Sequence, residues 1–502
     1  MSKKRVFAVD LGASGGKCFA ATFDGASFTM DEIHRFAYES VTQHVIERKN
    51  KLVERAIWDQ PYIQHNIGEG LLAHGRDVCD HIDSIGIDTW GADFQLMSGD
   101  GEPLCAHYAY RDHRLDGMID KVKSRIDPAR IYEITGIHFQ PFNLSNQLLW
   151  LVLNRRELLL PDVFCLPTPS VFTHALCGSR KVDSTWASIT QLVDAANGTW
   201  SSEVLAALDI PRDILPEIVK PTALLGVLHA PIAESAGINQ ADVVAVGSHD
   251  TASAFAAAPV TSTAEALIIS SGTWSLVGKL IPAPITNDDA LKFNMSNEGG
   301  IGNTRFLRNC MGTWIVQELR RIWRGVDGKA SSWEDLNRAT QKAKPFAAMF
   351  DPDDERFYNP SDMETAIVEF CKETKQAPPA NRGEFLRSTY ESLALKYRYV
   401  NEEASRISGE ETKVVHIVGG GSKNKLLNQF TANATGLPVV AGPEEATAVG
   451  NIMVQALALG VIESLEDSLS LIRGAFPIED YTPADPDVWN QAYARFQPLV
   501  RG

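Results

Sequence analysis

The sequence predicts an α/β protein built of two similar lobes with a ligand cleft between them. Three observations carry that prediction. A β-hairpin closed by a glycine-rich turn opens the chain and returns in its middle, segments of the form strand, glycine turn, helix recur, and the composition is that of a fully folded chain. With 502 residues, 44% hydrophobic, 37 Gly and 25 Pro, the chain is too apolar for disorder and is long enough for two to three domains of roughly 150 residues each.

Residues 6–9 are apolar and β-branched, Gly12-Ala13-Ser14-Gly15-Gly16 makes the turn, and residues 18–23 resume as a strand. Residues 82–89 read as a strand with 94–97 as its partner, and Gly99-Asp100-Gly101 as a hairpin turn. Residues 242–246 form a short buried strand that runs into Gly247-Ser248-His249-Asp250-Thr251, followed by a helix-compatible stretch over 252–258. The first layout then repeats: strand 266–269, turn Ser270-Ser271-Gly272-Thr273, strand 274–280. Asn309 and Gln317 are expected near one face of a helix, and the charged stretch 325–385 as peripheral helices. Near the end come strand 413–418, turn Gly419-Gly420-Gly421, helix 423–435 closed by Gly436, strand 439–440 and helix 445–459 closed by Gly460. A tandem duplication divides this chain into lobes 1–247 and 248–460, with 461–502 as an extension packing back on them.

Charge excludes some partners. The 47 Lys and Arg against 63 Asp and Glu leave a formal charge of −16, which repels polyanions, so neither nucleic acid nor an anionic membrane is an expected partner. The basic start Met1-Ser2-Lys3-Lys4-Arg5 is followed by only a short apolar run before Asp10, too little for a secretory signal. The most apolar later stretch, 266–285, is interrupted by Ser270, Ser271, Gly272 and Lys279, so no membrane span is expected. A cytoplasmic location follows as the expectation, and the 7 cysteines, without any CxxC, are expected to be thiols.

The first turn fails the Walker A pattern, since Leu11 and Cys18 stand at required positions, and the dinucleotide-binding spacing fails too. Its bare amides, with Ser14 and Lys17, suit either an ordinary tight turn or a phosphate cradle. Asp10, beside it, either caps the turn or holds Mg²⁺ through water. The second turn matches the first in layout, so the pair could grip one polyphosphate. Gly419-Gly420-Gly421 lies between strand and helix, where a nucleotide or a mere chain reversal fits. In Ser248-His249-Asp250-Thr251, three residues are preferred helix caps. Contiguous Ser-His-Asp is no hydrolase triad, but Asp250 can serve as a general base toward a substrate hydroxyl attacking phosphorus. Trp90-Gly91-Ala92-Asp93 ends a strand, where Gly91 admits a substrate to the main chain and Asp93 or Arg111 is available to hydroxyls; a core tryptophan with a surface ion pair is the plainer reading.

Taken together, Val9-Asp10-Leu11-Gly12-Ala13-Ser14, Asp88-Thr89-Trp90-Gly91, Tyr110-Arg111-Asp112, Ser248-His249-Asp250-Thr251, Ser270-Ser271-Gly272-Thr273-Trp274-Ser275-Leu276, Asn297-Glu298-Gly299-Gly300 and Val418-Gly419-Gly420-Gly421 resemble the FGGY carbohydrate kinases in order and spacing. The resemblance implies two actin-like, ribonuclease H-like ATPase lobes binding ATP and Mg²⁺, with a sugar beneath. It implies Asp250 as proton acceptor and Gly91, His249, Thr251 and Asn309 as sugar-contacting positions. Ala13, Ser14, Gly15, Gly16, Lys17, Thr273, Gln317 and Gly420 match nucleotide-contacting positions, and Asp10 the carboxylate near the metal. The implied reaction is transfer of the ATP γ-phosphoryl group to the 1-hydroxyl of L-rhamnulose. L-fuculose or another ketose is the alternative acceptor, and a sugar-indifferent actin-like ATPase the more distant one. Two departures stand out: Ala-Ser-Gly-Gly-Lys replaces the usual Ala-Ser-Ser-Gly-Arg, and Pro169-Ser170 replaces the commoner Pro-Asp.

Overall fold

The computed structural model describes residues 3–500 except 26, 48–50, 261 and 330; Met1 and Ser2, the head of the basic start, lie outside the described residues. The chain divides into two compact units that are not contiguous in sequence. The first comprises Met1–Pro259, Ile281–Phe306 and Ala446–Ala475; the second comprises Val260–Leu280, Leu307–Glu445 and Phe476–Gly502.

The sheet of the first unit orders its strands Leu224–Val227, Asp242–Val244, Ser84–Thr89, Lys4–Gly12, Gly15–Asp24, Ser27–Ala37. The expected first hairpin forms, with Gly12 opposite Gly15 across an Ala13-Ser14 turn. Lys4–Gly12 runs parallel to Ser84–Thr89, and Ser84–Thr89 parallel to Asp242–Val244. Both neighbours of Ser84–Thr89 are therefore taken. That is why Phe94–Met97 does not pair with it as expected, but with Phe164–Pro167 in a separate antiparallel pair. Phe7, Val9 and Leu11 face Ile63, Ile67 and Leu71 of the helix Gln60–Asp77, all buried. That helix begins where Asp59 accepts a hydrogen bond from the Tyr62 amide at 3.1 Å.

The helix Ala446–Ala458, expected in the second lobe, packs in the first unit. Its polar side chains explain why. Gln455 Nε2 donates to the Phe7 carbonyl at 3.1 Å, Gln455 Oε1 accepts from the Ser84 hydroxyl at 2.7 Å, and Asn451 Nδ2 donates to Asp88 at 2.6 Å. Buried polar groups need such partners, and these ones sit on the first sheet.

The second unit repeats the succession of the first: Thr304–Met311, Trp274–Ile281, Ala266–Ser271, Val414–Val418, Val439–Ala441, Glu479–Tyr481. The hairpin Ala266–Ser271 with Trp274–Ile281 is followed by two parallel neighbours and an antiparallel edge strand. The segment 325–385 is not peripheral. Leu336 of the helix Trp333–Lys342 and Met363, Ile367 and Phe370 of Met363–Glu373 lie in the unit's main core. Their spacing of three to four residues turns one apolar face inward, which the high charge of the intervening positions masks in sequence. The stretch 461–502 is split as well, since 461–475 joins the first unit while Trp489, Tyr493 and Phe496 enter the second unit's core. All seven cysteines are free, and no helix of the described residues is long and apolar enough to cross a membrane.

Replacing Gln455 by Leu leaves the Phe7 carbonyl and Ser84 hydroxyl without this partner. The expected cost is roughly 1–3 kcal/mol, measured as a lower denaturation midpoint by circular dichroism; an unchanged midpoint would show that the helix is held by apolar packing alone.

Candidate active site

Parallel strands send their C-terminal ends to one edge of a sheet, and the loops there are where open α/β sheets bind ligands. In the first unit three such ends are stitched together. Thr89 N donates to the Ser248 carbonyl at 2.8 Å, and Trp90 N to the Leu11 carbonyl at 3.0 Å. This places Asp10, Asp88 and the Ser248-His249-Asp250 segment at one edge. Asp10 and Asp88 stand opposite each other in register.

Asp250 is the first residue of the helix Asp250–Ala256. Its Oδ1 accepts from the Thr251 amide at 2.6 Å and the Thr251 hydroxyl at 3.2 Å, so Thr251 orients the carboxylate. Burial, and then the charge of Asp10, raise the Asp250 pKa from 3.8 to about 7. Asp88 is wholly buried; burial and then Asp10 lift it well above the ordinary carboxylate range, against the hydrogen bond from Asn451. Asp88 is a residue that reading motifs one at a time does not single out. The available signal was an aspartate at the end of each of two strands that turn out to be neighbours.

His249 is almost fully buried. A β-carbon at Gly91 would lie 2.5 Å from His249 Nε2, so the missing side chain of Gly91 makes room for the imidazole rather than for a substrate alone. On the ring's other side, Nδ1 lies 3.0 Å from Arg305 Nη2. Arg305 is fully buried, pairs with Glu298 at 3.1 Å and donates from Nε to the Gly299 carbonyl at 2.9 Å. Burial and then Arg305 push the His249 pKa well down, so the ring is neutral. The preceding Ser248 hydroxyl donates to Asp183, which also accepts from the Thr185 amide at 2.9 Å; burial raises Asp183 to about 6. Glu298, Arg305 and Asp183 are absent from the sequence-derived site because the contacts that tie them to His249 and Ser248 come from distant parts of the chain.

Asp93 does not serve hydroxyl ligands. It accepts from Trp58 Nε1 at 2.7 Å, Trp90 Nε1 at 3.1 Å, the Tyr110 amide at 3.1 Å and Gln147 Nε2 at 3.1 Å, and is fully buried. Arg111 instead lies on the Tyr110 ring, 5.5 Å from its centroid. Ser170, at the position where a carboxylate is commoner, is buried and donates to the Lys181 carbonyl at 2.8 Å. In the first hairpin Ala13 and Ser14 are exposed at the turn, Tyr38 donates to the Gly12 carbonyl at 2.6 Å, and Lys17 stands opposite Asp10.

The second unit carries the remaining candidates. Thr273, Gln317 and Gly420 line one cavity of about 760 Å³, together with Trp333, Tyr390 and Leu426. The hairpin turn is clamped from behind: Thr313 N and Oγ1 both donate to the Gly272 carbonyl, at 2.9 and 2.8 Å, and Gly312 N donates to the Thr273 carbonyl at 3.1 Å. Gly421 packs directly on Ser271, leaving no space for a β-carbon, so the glycine run is fitted to the hairpin. Asn309 and Gln317 do not share a helix. Asn309 lies on the strand Thr304–Met311 and Gln317 on the helix Trp314–Asp327, because Gly312 and Thr313 turn the chain between them. Asn309 Oδ1 is buried and has no hydrogen-bond partner among the described residues.

No set of three or more His, Cys, Asp or Glu side chains is arranged to enclose a metal ion among the described residues. Asp10 stands beside Asp88, whose Oδ1 is a buried acceptor lacking a partner among the described residues, and two carboxylates are the kind of oxygen donors that suit a hard cation.

Residues 6–256 match the N-terminal domain of the FGGY family of carbohydrate kinases, and residues 267–459 its C-terminal domain. A rhamnulokinase of Bacteroides thetaiotaomicron is 38% identical over 502 residues, covering 99% of this chain and all of that protein. A rhamnulokinase of Bacillus subtilis is 34% identical, covering 96% of each chain. Among solved structures, gluconate kinase from Lactobacillus acidophilus superposes with a TM-score of 0.78 at 17% identity, covering 99% of this chain and 97% of that one. Plasmodium falciparum glycerol kinase with ADP gives 0.75 at 15% identity, covering 99% of both. These structures share the two-domain, actin-like α/β fold expected from the sequence.

Gly91→Ala drives a methyl group into the His249 ring. The expected loss is roughly 1–3 kcal/mol of stability from overpacking, read by thermal unfolding; a variant as stable as the parent would mean the ring has slack to move.

Proposed function

Because this chain belongs to the FGGY family of carbohydrate kinases, a family of phosphotransferases that use ATP, we propose that it phosphorylates L-rhamnulose at the 1-hydroxyl, giving L-rhamnulose 1-phosphate and ADP. Its near-full-length similarity to rhamnulokinases supports that acceptor. The observation that carries the chemistry is Asp250: a carboxylate at the strand ends, held by Thr251 and raised to about 7. A base poised near neutral pH is ionised often enough to act and basic enough to draw a proton.

In this reading the sugar hydroxyl donates to Asp250, its proton passes to the carboxylate, and its oxygen forms the new bond to the γ-phosphorus as the bond to ADP breaks. Gly91, His249 and Thr251 contact the sugar beside Asp250. Asn309 offers its unpartnered Oδ1 to a hydroxyl. The amides and side chains of Ala13, Ser14, Gly15, Gly16 and Lys17 receive phosphate oxygens, and Thr273, Gln317 and Gly420 hold the nucleotide. With Lys17 in place of the usual arginine, that contact is a single point charge rather than a planar fork. Mg²⁺, when bound, neutralises charge developing on the phosphates, and Asp10 is the residue that would hold it.

Asp250→Asn should lower turnover by roughly 10²–10⁴-fold, the usual weight of a general base, while ATP binding measured by calorimetry is retained. Near-normal phosphorylation by that variant would remove the assigned role. Protonated Asp250 cannot accept the hydroxyl proton, so kcat/KM for the sugar should fall as pH drops below about 7 and level off above it; a profile flat from pH 5 to 8 speaks against this base. Assayed against a panel of ketoses with ATP and Mg²⁺, L-rhamnulose should give the highest kcat/KM. A higher value for L-fuculose would transfer the assignment to that epimer, and ADP release indifferent to sugar would point to a plain ATPase.

A further inference from the structure

The buried chain Glu298, Arg305, His249 leads to the edge where Asp250 and Gly91 lie, and it decides which nitrogen of the imidazole carries the proton. Arg305 has five N–H donors and no acceptor. Its Nη2 sits 3.0 Å from His249 Nδ1, so Nδ1 must present its lone pair. In a neutral ring the proton is then on Nε2. The competing arrangement puts the proton on Nδ1, donating to Glu298 Oε2 at 3.4 Å. That would set an N–H against an N–H of the guanidinium, while the same Glu298 oxygen is already 3.1 Å from Arg305 Nη1.

The guanidinium is itself held rigidly. Nε donates to the Gly299 carbonyl at 2.9 Å, and the side chain has no exposure to solvent. His249 Nε2 faces Gly91 and lies 3.5 Å from Asp250 Oδ1, too long for a firm hydrogen bond. The N–H therefore remains available to a ligand oxygen beside the Asp250 carboxylate.

We propose that Arg305, braced by Glu298 and the Gly299 carbonyl, is a positioning residue that locks His249 in its Nε2–H tautomer, making the ring a hydrogen-bond donor to an oxygen of the acceptor sugar and leaving proton removal to Asp250. Charge logic favours the same state. Arg305, Glu298 and Asp250 are the charged groups that face the ring, and the guanidinium lies closest. A site whose histidine only donates selects a substrate oxygen with a lone pair at that point, so the device bears on which sugar position is held there. The tautomer assignment rests on geometry alone; the sugar's part in it rests on the kinase reading above.

The test begins with the unaltered full-length protein labelled with ¹⁵N-histidine. Long-range ¹H–¹⁵N correlation near neutral pH should show His249, identified by the signal lost in His249→Gln, with a protonated Nε2 and a bare Nδ1. A proton on Nδ1, or an imidazolium, overturns the proposal. In Arg305→Lys the charge stays but the fork is lost. The His249 pattern should shift toward Nδ1–H, and the sugar KM should rise roughly 2- to 10-fold, the weight of one hydrogen bond, with the ATP KM unchanged. Equal rises in both KM values, or an unchanged tautomer, would reduce Arg305 to a structural residue and overturn the positioning role. If Arg305→Lys does not fold, the spectrum of the parent decides. A parent with the expected spectrum that phosphorylates no ketose overturns the sugar role and the kinase reading while the tautomer stands, so the two failures are told apart.

Discussion

Like-charged carboxylates brought together at the ends of neighbouring parallel strands repel one another, and losing water makes the repulsion worse. The first unit is arranged around that constraint. Asp10 and Asp88 face each other in register, and Asp250 feels the charge of Asp10. Each is accommodated differently. Asp88 is sunk beneath Asn451 and raised well above the ordinary carboxylate range, Asp250 remains partly open and is oriented by Thr251, and Arg305 supplies compensating positive charge close by. The arrangement is costly for folding. It also raises the Asp250 carboxylate to about 7.

The surrounding buried polar groups belong to the same arrangement. A buried Arg305–Glu298 pair is poor evidence for stability, since desolvating both ions offsets most of their attraction. Its value lies in direction: it fixes the imidazole, as Asp183 fixes Ser248 and Asp93 fixes the Trp58 and Trp90 indoles. Three separate carboxylates thus serve as rigid acceptors behind the edge where Asp250 lies. The second unit achieves rigidity by other means, with backbone amides of residues 312–314 gripping the carbonyls of the hairpin turn.

The fold was largely legible in sequence where the signal is local. Both hairpins, the strand leading to the glycine run at 419–421 and the helices closed by Gly436 and Gly460 stand within a few residues of expectation. Asn309 and Gln317 part where Gly312 and Thr313 turn the chain, whereas the pairing of Phe94–Met97 with Phe164–Pro167 and the entry of 325–385 into a core depend on which distant segment occupies an edge or covers a face. The discontinuous units have the same origin, because Asn451 and Gln455 find their hydrogen-bond partners on the first sheet.

The amino-acid sequence by itself determined the element types, the repeated hairpin design and the identity of the residues at the strand ends. These follow from side-chain periodicity, turn chemistry and backbone sterics, all properties of near neighbours. Only the tertiary structure decided that Asp88 faces Asp10, that Gly91 is small for the sake of His249, that Asp93 is fully engaged, and which nitrogen of His249 meets Arg305. Those are matters of desolvation and of charges close in space but distant along the chain, so no local pattern can carry them.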